Sequence, residues 1–125
     1  MTWICIVDDD PEVGDALTAA LRVAGYGARS FRDGSDALEA IVTALEAPRL
    51  ILLDLILPNM SGRDVLRRIR LDPHASQVPV IVITGLDNVL ESSFAPARIS
   101  AILRKPIAVE DLLATITSVL RAANA

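Results

Sequence analysis

The sequence predicts an α/β protein: a doubly wound sheet of five parallel strands with about five helices on its two faces. Three observations predict it. Short apolar runs rich in Val and Ile recur at 3–7 (WICIV), 50–53 (LILL), 80–83 (VIVI) and 101–103 (AIL). They lack polar alternation, as strands buried on both faces do. Between them, apolar residues recur at the three- and four-residue steps of a helix. The order βαβαβαβαβα with right-handed crossovers places helices on both sides of one sheet.

Each element can be justified in turn. Residues 3–7 form the first strand, with Trp3 covering the end of the sheet and Cys5, between Ile4 and Ile6, a small buried core residue. Val13, Leu17, Ala20, Leu21 and Ala24 mark a helix over 11–24, with Asp10 as N-cap, Pro11 in the first turn and Gly25 at the end. Residues 27–31 (GARSF) alternate and suit an edge strand. Leu38, Ile41, Val42 and Leu45 mark a second helix closed by Pro48. Ser61 and Asp64 resemble a capping box that opens a third helix, carrying Val65, Leu66 and Ile69 and stopping before Pro73. Asn88–Phe94 reads as two helical turns ended by Pro96, so the fourth helix is expected to be short or irregular. Leu112, Leu113, Ile116, Val119 and Leu120 mark the last helix, for which Ala108 is a poor N-cap.

Composition narrows the function. A chain of 125 residues that is 52% hydrophobic can bury one core, and residues 1–125 read as a single domain. Only 3% of residues are aromatic, so the core is aliphatic. One cysteine excludes a disulfide framework and a Cys-based zinc site. A net charge of −4 argues against direct nucleic-acid binding and against an anionic membrane surface. No apolar run is long enough to span a bilayer, and the N-terminus lacks the basic region of a signal peptide. A cytoplasmic location is expected.

In a doubly wound sheet, ligands bind outside the carboxyl ends of the strands. Strand one runs into Asp8, Asp9 and Asp10, strand three into Asp54, strand four into Thr84, and strand five into Arg104 and Lys105. Taken singly, each could be an ordinary strand-end or surface residue, and His74, in a polar loop, reads as plain surface. Their joint placement from distant parts of the chain points to one site. Two carboxylates about 4 Å apart repel by roughly 4 kcal/mol at an effective dielectric near 20. A hard divalent cation removes that repulsion and, held by one or two carboxylates, leaves positions free for a phosphoryl oxygen. One carboxylate can then attack phosphorus while a Lys and a Thr hydroxyl hold other oxygens.

Four segments, VDDDPE (7–12), LLDLILPNMSG (52–62), IVITG (81–85) and RKP (104–106), together resemble the receiver domain of two-component response regulators. The resemblance covers essentially the whole chain and implies a flavodoxin-like fold, with strand order 2-1-3-4-5. It implies Asp54 as phosphoacceptor, Asp8, Asp9, Asp54 and the Ile56 carbonyl as ligands for Mg²⁺ (with Mn²⁺ as a substitute), and Thr84 and Lys105 as phosphoryl contacts. Pro58 and Gly62 match the loop that follows, and Pro106 the residue after the lysine, often joined by a cis peptide. It also implies a histidine kinase or histidine phosphotransfer protein as phosphodonor. A downstream partner or output domain would bind the face of the fourth helix, fifth strand and fifth helix, a face compatible with a phosphorylation-dependent dimer. Such a module transfers phosphate to and from itself and is not an enzyme on an external substrate.

Two features depart from the family. The Tyr or Phe usual three residues before the lysine is Ile102 here, which presents neither a ring nor a hydroxyl, so a reshaped output face is expected. Ile56 and Leu86, at the positions that modulate acyl-phosphate hydrolysis, are bulky and apolar, which implies a long-lived phosphoryl state. The competing readings are a degenerate receiver that binds partners without phosphorylation, an Asp-nucleophile phosphatase and a flavin carrier. A phosphatase would need an acid where Ile56 stands, and a flavin carrier a hydroxyl- and glycine-rich loop where VDDDPE stands. No output domain is recognisable within the chain.

Overall fold

The computed structural model of the protein describes residues 3–124; Met1, Thr2 and Ala125, within the span read as a single domain, lie outside the described residues. Five strands, β1 (Trp3–Val7), β2 (Gly27–Phe31), β3 (Leu50–Asp54), β4 (Val80–Thr84) and β5 (Ala101–Arg104), form one parallel sheet in the order β2-β1-β3-β4-β5. The helices are α1 (Pro11–Val23), α2 (Gly34–Thr43), α3 (Gly62–Leu71) and α4 (Val109–Ala123). The GARSF strand is at the sheet edge, as its alternation predicts.

The expectation of about five helices is corrected: the described residues hold four α-helices. Where the fourth of five was expected, and where Asn88–Phe94 read as two helical turns, stands a single 3₁₀ turn, Glu91–Phe94. The reasons are local. Asn88 takes a left-handed φ of 58°, and Leu90 offers no side-chain cap. Ala95 is extended before Pro96, as the steric demand of a following proline favours. The second helix also starts and stops earlier than its apolar stripe suggests, because Asp33 accepts from the Asp36 amide as N-cap and Ala44 is already extended. Leu45 is consequently fully exposed. The remaining caps follow the sequence: Asp10 accepts from Glu12, Ser61 accepts from Asp64, and Gly25 takes a φ of 95° after α1.

Strand alternation divides the core in two. Cys5, Val7, Ile51, Leu53, Val80 and Val82 face α2 and α3, where they meet Ala37, Ile41, Val65, Leu66 and Ile69. Ile4, Ile6, Leu50, Leu52, Ile81 and Ile83 face α1 and α4, against Leu17, Leu21, Leu112 and Ile116. Each fully buried aliphatic side chain contributes about 1.5–3 kcal/mol of transfer free energy, so strand register is strongly enforced. A slip of one residue would turn every one of these side chains to the wrong layer. The same parity decides which polar residues meet at the carboxyl edge.

Candidate functional site

Ile4 and Ile6 point to the α1/α4 layer, and so the next residue of that parity on the first chain segment is Asp8. Leu50 and Leu52 give Asp54 in the same way, and Ala101 and Leu103 give Lys105. Three charged side chains from three parts of the chain thus meet on one side of the sheet edge. Lys105 Nζ donates to Asp8 Oδ2 at 2.7 Å and to Asp54 Oδ2 at 2.8 Å. Asp8 and Asp54 are buried, at 4% and 5% exposure, so the ammonium offsets a carboxylate pair that burial would otherwise make costly.

The other carboxylate oxygens are also engaged. Asp8 Oδ1 accepts from the Asp10 amide at 2.9 Å, and Asp54 Oδ1 from the Ile56 amide at 3.1 Å. Asp10 faces away as the α1 cap, while Asp9 is exposed beside the pair. Carboxylate oxygens of Asp8, Asp9 and Asp54 lie within 4.8 Å of one another. Three hard oxygen donors with one ammonium between two of them fit a hard divalent cation such as Mg²⁺. Burial pulls the Lys105 ammonium down, but hydrogen bonds and charge from Asp54 and Asp8 outweigh it, and its pKa is raised above the ordinary lysine value.

Gly62 fixes the loop behind the carboxylate. Its amide donates to the Leu55 carbonyl at 2.9 Å, and a Cβ there would lie 2.2 Å from the Asp54 carbonyl oxygen and 2.6 Å from Leu55 Cα. Only a residue without a side chain lets α3 begin so close to the end of β3. Asn59, in the same loop, holds a positive φ of 67°.

Thr84 takes the opposite parity, following Val80 and Val82 toward the α2/α3 layer, and is fully buried. Its Oγ1 accepts from the Leu86 amide at 3.0 Å; no hydrogen bond joins it to Asp54 among the described residues. The Lys105 amide donates to the Thr84 carbonyl at 2.8 Å, and the Lys105–Pro106 peptide is cis. Ile56 and Leu86, 61% and 44% exposed, flank the two strand ends. Ile102 pairs with Val82 and packs, half-buried, in the cluster that holds Phe94. His74 is exposed as expected, although its Nε2 also lies 2.9 Å from the Ala44 carbonyl oxygen.

Sequence reading missed two arginine contacts. Arg63 donates to the carbonyl and hydroxyl of Ser93 and lies over the Phe94 ring. Arg70 bonds the carbonyls of Ser76, Val78 and Arg98. The four arginines within ten residues of α3 were the available signal.

The family model of the response regulator receiver domain matches residues 4–117. This chain belongs to that family. The receiver is 34% identical over 122 residues to the DNA-binding dual master transcriptional regulator RpaA of Synechocystis, covering 97% of this chain and 50% of that protein. It is 38% identical over 120 residues to the DNA-binding response regulator MtrA of Mycolicibacterium smegmatis, covering 82% of this chain and 50% of the relative. The receiver therefore spans about half the length of these curated relatives. Among solved structures, a CheY-like receiver domain protein from Methanospirillum hungatei superposes with a TM-score of 0.87 at 28% identity, over 99% of this chain and 97% of the other. Receivers of this family are signalling domains that interact with histidine kinases and use Mg²⁺ at an acidic pocket. No described helix of this one is long and apolar enough to cross a membrane.

Proposed function

We propose that this receiver accepts a phosphoryl group on Asp54 from the phosphohistidine of a histidine kinase or histidine phosphotransfer protein, and changes its protein-binding surface in response. The single observation that carries the reading is the buried Asp54 carboxylate, tethered by Lys105 and within 4.8 Å of Asp8 and Asp9 oxygens. In the transfer, the P–N bond to histidine breaks and a bond from an Asp54 carboxylate oxygen to phosphorus forms. Asp8, Asp9, Asp54 and the Ile56 carbonyl would hold Mg²⁺, or Mn²⁺ in its place; when bound, the ion supplies positive charge against the phosphoryl oxygens.

The chain's own groups do the rest. Lys105, already on Asp54, holds a phosphoryl oxygen, since an ammonium donates up to three hydrogen bonds. The Thr84 hydroxyl exchanges the Leu86 amide for the phosphoryl group, which moves the loop that Leu86 begins. Ile56 and Leu86 offer an attacking water no hydrogen bond and obstruct its approach, so the phosphoryl state is long-lived. The receiver has no activity on an external substrate, for no acid stands at Ile56 to serve a leaving group.

The test is incubation with Mg²⁺ and acetyl phosphate, followed by intact-mass measurement. One added phosphoryl group, absent from Asp54→Asn, is the expected result. No added mass would overturn the reading and leave the second one, a phosphorylation-independent interaction domain, which the aliphatic Ile102 favours.

A further inference from the structure

The helical layer over the α2/α3 side of the sheet is incomplete. Two helices lie there, and beyond them only the four-residue turn Glu91–Phe94. Between α3 and residues 93–97 the surface sinks into a groove of about 370 Å³ whose walls include Arg63, Leu66, Arg67, Leu71, Phe94 and Pro96. Leu66 and Phe94 are buried in its floor, and Leu71 stands 77% exposed at one end.

The rim of this groove is positive in a chain whose net charge is −4. Arg63 bonds Ser93 O at 3.0 Å and Ser93 Oγ at 3.2 Å, with its guanidinium 4.2 Å from the Phe94 ring centroid. Arg70 bonds three main-chain carbonyls, those of Ser76, Val78 and Arg98. These acceptors are neutral: they hold the guanidinium groups in place and leave their charge uncompensated. Of the three α3 arginines that line the groove, Arg63, Arg67 and Arg70, only Arg67 has a carboxylate partner among the described residues, Asp64 at 2.8 Å. Burial, and then the nearby charge of Arg98, pulls the Arg70 guanidinium below its ordinary pKa.

An apolar floor with a fixed cationic rim fits an occupant of one kind. We propose that this groove binds an acidic amphipathic helix of a partner protein, laid along α3 with its apolar side against Leu66, Leu71, Phe94 and Pro96. The ten residues of α3 give about 15 Å of contact, some three turns of a docked helix. A nucleic-acid backbone or a lipid headgroup layer would satisfy the rim and leave the floor wet. The groove takes in residues 93–97, at and just beyond the place expected for the fourth helix of the output face, but it opens toward α3 rather than toward β5 and α4, and binding requires no phosphoryl group on Asp54.

The test uses the full chain, ¹⁵N-labelled and without phosphodonor. The probe is a synthetic helical peptide of about 14 residues with Leu and Phe along one stripe and Glu elsewhere. The expected result is saturable shifts of amides in 62–71 and 91–98. Affinity should fall at least about tenfold when salt rises from about 0.05 to 0.3 M, and several-fold in Arg67→Glu. Arg67 is exposed, so that variant keeps the fold; Leu71→Ser, also at an exposed position, gives an independent loss of several-fold. The same peptide with Lys for Glu should not bind. The proposal is overturned by shifts elsewhere, by no shifts, or by affinity indifferent to salt or to both variants. It is equally overturned if only duplex DNA, only phosphatidylglycerol vesicles, or only the chain's own rising concentration moves these amides, since each assigns the groove to another occupant.

Discussion

Replacing Lys105 by Met removes the cation that, among the described residues, contacts both Asp8 and Asp54, while keeping most of the side-chain volume. Both carboxylates are buried, and their closest oxygens lie within 4.8 Å. Two unit charges at that separation repel by about 3.5 kcal/mol at an effective dielectric near 20. Removing one partner from a buried ionic cluster costs about 3–5 kcal/mol by general experience. The variant should therefore lose about 3 kcal/mol of unfolding free energy at neutral pH without divalent metal. For a domain of this length that is a fall of about 10 °C in Tm. Urea denaturation of Lys105→Met, Asp54→Asn and the double variant forms a cycle that isolates the charge effect. Asp54→Asn should restore about 3 kcal/mol in the Lys105→Met background, because it leaves one buried carboxylate instead of two. Mg²⁺ should raise the midpoint of Lys105→Met more than that of wild type, since the ion meets two carboxylates no longer held by an ammonium. A loss under about 1 kcal/mol, or no recovery in the double variant, would show that the site does not store carboxylate repulsion.

Three further outcomes are expected. Gly62→Ala forces a Cβ into the Asp54 and Leu55 backbone and should cost about 2 kcal/mol in urea denaturation, with slower phosphoryl incorporation by intact mass. Burial pushes the Cys5 thiol from 9.0 up to about 12. The folded state therefore keeps a proton that the unfolded chain releases, and this contribution, full below pH 9, is lost as pH rises toward 12. Between pH 8.5 and 10.5 the wild type should lose about 1–2 kcal/mol more than Cys5→Ala, compared as slopes; parallel slopes would refute the assignment. Ile56→Asn places a hydrogen-bonding group beside Asp54 and should shorten the phosphoryl lifetime several-fold, followed by decay of the added mass; an unchanged or longer lifetime would contradict the shielding argument.

Strands with continuous apolar runs were legible because both faces are covered, so no polar residue interrupts them. The site acids were legible for a related reason: charged residues directly after such runs stand at the edge where the sheet ends. β1 matches its run, and the other three strands each extend one residue past theirs, because Asp54, Thr84 and Arg104 still pair within the sheet. The Lys105 bridge between Asp8 and Asp54 was not legible as a contact, since it joins residues 97 and 51 positions apart. The four-residue turn at 91–94 escaped an apolar count as well, because the obstacles there are conformational: a left-handed Asn88, an uncapped Leu90 and an extended Ala95 before Pro96.

Parity also explains why the two sides of the sheet are suited to different tasks. Asp8, Asp54 and Lys105 follow residues of the α1/α4 layer, whose two helices cover that face. Thr84 and Ile102 follow residues of the opposite layer, where helix gives way to a turn and α3 keeps an open flank. β4 lies between β3 and β5, and the amide of Leu86, first of the crossover's apolar residues, is held by the Thr84 hydroxyl. A change at Asp54 that drew on that hydroxyl would release the start of the 85–100 crossover. Its far part is pinned by Arg63 at Ser93 and by Arg70 at Arg98. Both pins come from α3, so the crossover responds at its β4 end while its α3 end stays fixed. That division lets one short segment serve the chemistry on one face and the groove on the other without a full helix between them.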